Sequence, residues 1–89
     1  MISKKIKYDE DKLIAIIQKG SKKSARAFEM IYDNYADDVY KYTLKIMSDE
    51  EQAKDILQET FIRLYKSLKK GKEMTNLPAF IITIARNLC

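Results

Sequence analysis

Asp55, Gln58, Glu59 and Ile62 fall at intervals of three and four residues, and Arg63, Lys66, Lys69, Lys70 and Lys72 follow directly. On a helix the first four share one exposed face. Two carboxylates and an amide around an apolar anchor make the kind of patch with which one protein grips another. The cations after it suit a different task, neutralising phosphates, and Met74, Thr75 and Asn76 beside them can contact bases or phosphates. Together they would form a cradle for single-stranded nucleic acid. Both features also have ordinary explanations, since polar stripes are commonly solvated surface and lysines gather at helix C-termini to oppose the helix dipole. Ile62, apolar in the middle of the polar stripe, argues for a contact patch.

No set of residues for bond-making chemistry can be assembled. The chain has no histidine and one cysteine, Cys89, so a structural zinc site lacks its usual ligands and no internal disulfide can form. The carboxylates lie on expected helix surfaces with no histidine or glycine-rich phosphate loop beside them, which leaves no general acid–base pair. We therefore expect no enzyme activity, no metal and no cofactor. Of the six tyrosines, Tyr32, Tyr35 and Tyr42 have core spacing, whereas Tyr40 and Tyr65 are open to other uses.

The elements that must position these residues are helices. Eighty-nine residues suffice for one core, and Gly20, Gly71 and Pro78 alone interrupt the chain, too few for a turn-rich β fold. Residues 1–8 read as a mobile basic arm. A first helix is expected from an Asp9 cap to Gly20, with Leu13, Ile14, Ile16 and Ile17 on its apolar face. A long second helix spans about Ser24 to Met47, its stripe Phe28, Ile31, Tyr32, Tyr35, Val39, Tyr42 and Ile46. Ser48 with Glu51 reads as a capping box that opens a third helix, whose stripe is Ala53, Ile56, Leu57, Thr60, Phe61, Leu64 and Leu68. After the segment KKGKEMTN, Asn76 caps a fourth helix that tolerates Pro78 in its first turn. On it Phe80, Ile81, Ile84, Ala85 and Leu88 share a face, with Ile82, Thr83, Arg86 and Asn87 off it. The expected fold is all-α, a compact bundle of about four helices in a single domain over 1–89.

Charge is partitioned along the chain: +4 over residues 1–24, −1 over 25–47, −4 over 48–62 and +5 over 63–89. An acidic stretch running directly into a basic one points to two contact surfaces, one of them suited to a polyanion. The N-terminus has no apolar stretch of signal-peptide length and no segment approaches the ~20 apolar residues of a membrane span. We expect a cytoplasmic chain without membrane insertion.

Three segments, AFEMIYDNYADDVYKYTLKIM, AKDILQETFIRLYKSL and AFIITIARN, occur in this order and spacing. Together they resemble region 2 of bacterial RNA polymerase sigma factors of the sigma-70 family, extracytoplasmic-function (ECF) group, over about residues 10–89. The pattern there is an aromatic-bearing long helix, an A-x-D-[LIV]-[LIV]-Q-E-x-F helix, a short variable loop and a W-[LIV]-x-x-I-A-R-N helix. The resemblance implies a transcription initiation domain with three partners: the β′ clamp helices of core RNA polymerase, promoter DNA at the melted minus-ten element, and an anti-sigma factor. By match, Asp55, Gln58, Glu59 and Ile62 would dock on the polymerase. Lys69, Lys70, Lys72, Thr75, Asn76, Arg86 and Asn87, with Arg63 and Lys66 beside them, would face the non-template strand. Arg86 has a second reading, as a brace between helices.

The chain departs from the pattern in three places. Phe80 stands where tryptophan is usual, a conservative change for packing. Gly71 and Pro78 occupy a loop region that often carries bulkier residues. Cys89 ends the sequence before the basic continuation of the last helix and before the second domain that reads the minus-35 element, as a fragment would. Two alternatives remain at this point: a sigma-like module that binds polymerase or an anti-sigma protein without competent DNA binding, and a generic basic helical nucleic-acid binder. The second accounts for the lysines but not for the Q-E helix.

Overall fold

A computed structural model describes residues 10–71 and 76–89 of the chain. They form four helices, α1 (Glu10–Lys19), α2 (Ser24–Met47), α3 (Glu50–Lys69) and α4 (Leu77–Leu88), packed as an all-α bundle. The Asp9 cap, the arm over residues 1–8, and Lys72, Met74 and Thr75 lie outside the described residues.

The long α2 is the spine. Its length of about 36 Å accounts for the 38 Å long dimension of the molecule. Ala27, Ile31, Tyr35 and Val39 bury one stripe of it, and α3 answers with Ala53, Phe61, Leu64 and Leu68. Phe28 packs edge-on to Tyr65, and Tyr32 to Phe61; rising positions on α2 meet falling ones on α3, so the pair is an antiparallel hairpin. Leu13, Ile14 and Ile17 of α1 and Leu77, Ile81 and Ala85 of α4 close the core. Each fully buried Leu or Ile contributes about 1.5–3 kcal/mol of transfer free energy.

Two expectations of the sequence change here. Ser48 does not open α3. It ends α2 in the left-handed conformation (φ 55°), its N–H donating to the Leu44 carbonyl at 2.8 Å, and Asp49 caps α3 by accepting from the Gln52 N–H at 3.1 Å. Only Ser48 and Asp49 separate the two helices, so one residue must terminate the first while the next starts the second. The stripe on α2 is also narrower than its spacing implied: Tyr32 is 37% exposed and Ile46 48%. Ile46 lies in the last turn of α2, and Tyr32 lies on the flank facing α3.

The α1–α2 junction is tied at three points. Gly20 takes a positive φ of 68° after the last turn of α1, the Ser24 hydroxyl reaches back to the Ile16 carbonyl at 3.1 Å, and the buried Tyr35 hydroxyl donates to the Glu10 carboxylate. A Cβ on Gly20 would also stand 3.1 Å from Lys69 Nζ, which approaches the end of α1. Gly20→Ala should therefore cost about 1–2 kcal/mol from the left-handed backbone alone, read as a drop of several degrees in the midpoint of thermal unfolding.

Candidate functional site

Helix α3 carries both candidate surfaces. Its first turn is acidic (Glu50, Glu51) and its last turn basic (Lys66, Lys69), each sign placed where the helix dipole favours it. With Ala53, Thr60, Phe61, Leu64 and Leu68 buried, the remaining face turns outward. Asp55 and Gln58 on it are exposed, Glu59 is half-buried, and Ile62 is 40% exposed. The four share one face, as their spacing required.

Beside that face runs a groove of about 580 Å³ between α2 and α3. Phe28, Tyr32, Leu57, Phe61 and Tyr65 form its apolar walls, Gln58 and Ile62 its rim, and Lys54 and Lys66 also line it. Its rings pack edge-to-face, with centroids 4.8 Å apart for Tyr32–Phe61 and 5.1 Å for Phe28–Tyr65. Tyr32, placed in the core by its spacing, is thus a groove wall, and Tyr65, left open, is another. Sequence periodicity alone does not separate a residue on the core stripe from one on its margin, because both recur every three or four positions.

A second groove, of about 460 Å³, lies between α3 and α4. Arg63, Lys66, Ser67 and Lys70 form one side; Thr83 and Asn87 belong to the other; Phe80, Ile84 and Leu88 are half-buried within it. The buried stripe of α4 is Leu77, Ile81 and Ala85, so Phe80, Ile84 and Leu88, expected on the core face, sit at its margin. Among the described residues no carboxylate lines this groove. Four of the sequence-selected nucleic-acid residues, Arg63, Lys66, Lys70 and Asn87, meet here.

The others are placed differently. Lys69 points to Gly20 at the end of α1. Arg86 is exposed outside the groove. Asn76 caps α4, its side-chain oxygen accepting from the Ala79 N–H at 3.1 Å, and Lys72 and Thr75 fall outside the described residues. Where the two surfaces meet, Arg63 Nε donates to Glu59 Oε2 at 3.1 Å. Among the described residues no three His, Cys, Asp or Glu side chains converge on a metal site, and no helix is long and apolar enough to cross a membrane.

The family model for sigma-70 region 2 matches residues 31–89, from the second turn of α2 to the end of the chain. The chain belongs to the sigma-70 region 2 family. Among curated proteins, this sigma region 2 chain is 30% identical over 84 residues to the ECF RNA polymerase sigma factor BldN of Streptomyces coelicolor, a match covering 90% of the chain and 31% of that protein. It is 30% identical over 61 residues to the ECF sigma factor SigX of Bacillus subtilis, covering 68% of the chain and 31% of SigX. To SigM of the same organism it is 35% identical over 57 residues, 64% of the chain and 34% of SigM. The sigma region 2 chain thus spans about a third of the length of these relatives, and no solved structure matches it significantly. Sigma factors, the family of these relatives, are not enzymes.

Proposed function

We propose that this sigma region 2 domain couples core RNA polymerase to a melted promoter. Asp55, Gln58, Glu59 and Ile62, beside the aromatic α2–α3 groove, dock on the β′ clamp helices. Arg63, Lys66, Lys70 and Asn87, at the α3–α4 groove, hold the unpaired non-template strand of the minus-ten element. The observation that supports this reading is the layout of α3: Asp55, Gln58, Glu59 and Ile62 share an outward face beside the aromatic α2–α3 groove, and Arg63, Lys66 and Lys70 line the α3–α4 groove, with Lys66 at the edge of both.

The physics asks for such a division. A promoter opens only where the unpaired strand is bound in preference to the duplex, and binding must offset a few kcal/mol of unstacking for each extruded base, roughly. Cations supply that binding without regard to sequence; polar groups near them select among bases. Tethering to polymerase raises the local concentration of the domain at the promoter, so the intrinsic affinity of the DNA surface can be modest. The apolar character of the α2–α3 groove favours a second reading, a module that binds only proteins such as polymerase or an anti-sigma factor.

Salt dependence separates the two. Each phosphate contact on a single strand contributes a slope of about 0.7 in log K against log salt. Replacing Lys66 and Lys70 together with Ala should flatten the slope for a single-stranded minus-ten oligonucleotide by about 1.4, with helical content unchanged. An unaltered slope would remove this groove as the electrostatic footprint and leave the protein-only module.

A further inference from the structure

We propose that the α2–α3 groove is a binding site for a long-chain carboxylate, with the chain along the aromatic walls and the headgroup at Lys66. Three observations carry it. The groove holds about 580 Å³, within the range of small-ligand sites, about 300–1,000 Å³. Tyr32 and Ile62, two of the three large apolar side chains left exposed among the described residues, both border it. The charged groups in its lining are Lys54 and Lys66, with no carboxylate among them, and within the described residues neither lysine makes an ion pair.

The two ends of the groove differ, and the difference orients the ligand. Lys54 and Lys66 are twelve residues apart on α3, a rise of about 18 Å, and between them the antiparallel α2 sets Tyr32 against Phe61 and Phe28 against Tyr65. Lys54 also lines a neighbouring cavity with Asp33 and Asp37, whose charges offset its own. Lys66 stands at the other end and also lines the α3–α4 groove, where again no carboxylate joins it. The positive end is therefore Lys66. A small anion such as phosphate would use that lysine and leave the rings idle, and a cationic amphiphile would meet a like charge. A long-chain carboxylate uses the whole run, its headgroup at Lys66 and its chain passing Phe61 toward Leu57 and Tyr32. Gln58 and Ile62 form the rim of the same groove, so a bound chain would cover part of the proposed polymerase face. That consequence, competition with the β′ clamp helices, rests on the docking reading; the ligand site does not.

Dodecanoate, kept below its micellar concentration and titrated into the isotope-labelled chain, should shift the backbone amides around Phe28–Tyr32 and Leu57–Lys66 in a saturable way. Across octanoate, decanoate and dodecanoate, affinity should rise about twofold to fourfold for each methylene added. Lys66→Glu should weaken dodecanoate binding about tenfold and Lys54→Glu less than about twofold; both side chains are exposed, so helical content should stay that of the wild type. Dodecyltrimethylammonium, with the same chain and the opposite charge, should bind more weakly than dodecanoate. Amide shifts centred elsewhere, affinity indifferent to chain length, or equal binding of the cationic amphiphile overturns the site, whatever the domain does with polymerase. A larger loss from Lys54→Glu than from Lys66→Glu overturns the placement of the headgroup. Dodecanoate that fills the groove without weakening the binding of a β′ clamp-helix fragment overturns the competition. A fragment that fails to bind the free domain overturns the docking reading and leaves the ligand site standing.

Discussion

Glu59→Lys combined with Gln58→Ala is expected to abolish measurable binding to a β′ clamp-helix fragment, a loss of about a hundredfold or more, while circular dichroism stays that of the wild type. Gln58 and Ile62 form the rim of the α2–α3 groove, and Glu59 adjoins them on the same face. If, as proposed, Glu59 faces a basic group of the partner, a cation in its place would juxtapose like charges, which costs several kcal/mol at an interface, roughly. Fold stability has little stake in the change. Among the described residues Glu59 pairs with Arg63 of its own helix, at 3.1 Å and about half exposed, and such pairs are worth about 0.3–0.5 kcal/mol. Gln58→Ala alone should give an intermediate loss by removing the amide but not inverting the charge. Undiminished binding of the double variant to the clamp-helix fragment would take polymerase docking away from this face.

Tyr35→Phe should be the most damaging change of a single oxygen atom. The Tyr35 side chain is fully buried and its hydroxyl donates to the Glu10 carboxylate, joining α2 to the first turn of α1. Hydrogen bonds to charged groups contribute about 1.5–3 kcal/mol, a loss visible as a lowered unfolding midpoint in urea. The same contact has a pH signature. Burial, then the hydrogen bond and charge of Glu10, push the Tyr35 phenol well above the ordinary tyrosine value of 10. A raised pKa means that folding favours the neutral phenol. The stabilisation is therefore complete below about pH 10, the unfolded value, and is lost as pH rises from there toward the folded value. Wild-type stability should fall above pH 10 more steeply than that of Tyr35→Phe, which has no proton to lose at this position; parallel pH profiles would mean that Tyr35 is not the group responsible.

Much of the molecule is legible in the sequence because helices announce themselves by period and punctuation. Asn76 before Leu77 and Pro78 marks the start of α4, and the bounds of α2 at Ser24 and Met47 follow from where its apolar spacing begins and ends. The family, too, is legible, since the Q-E helix and the A-R-N helix occur together in the right order. What stayed hidden depends on how helices are rotated against one another. Tyr32 and Phe80 recur with the core residues yet line grooves, because the neighbouring helix covers only part of each apolar stripe. Lys69 and Lys70 are adjacent in the chain, but about 100° of helical turn separates them, and the first goes to the end of α1 while the second lines the α3–α4 groove. Ser48 departs from its expected role for a different reason: serine suits both a cap and a turn, and the two-residue gap it shares with Asp49 leaves the cap of α3 to Asp49.

That α3 is one uninterrupted helix through both surfaces has a geometric consequence. From Glu59 to Lys66 is two turns, a rise of about 10 Å and a rotation only about 20° short of closing on itself. On the proposed reading the helix acts as a ruler: the offset between where a protein partner would be gripped and where a strand would lie is fixed by helical pitch, with no hinge to absorb error. A single-residue insertion between them would swing one surface about 100° relative to the other, so the separation of the two can change by whole turns but not by small steps.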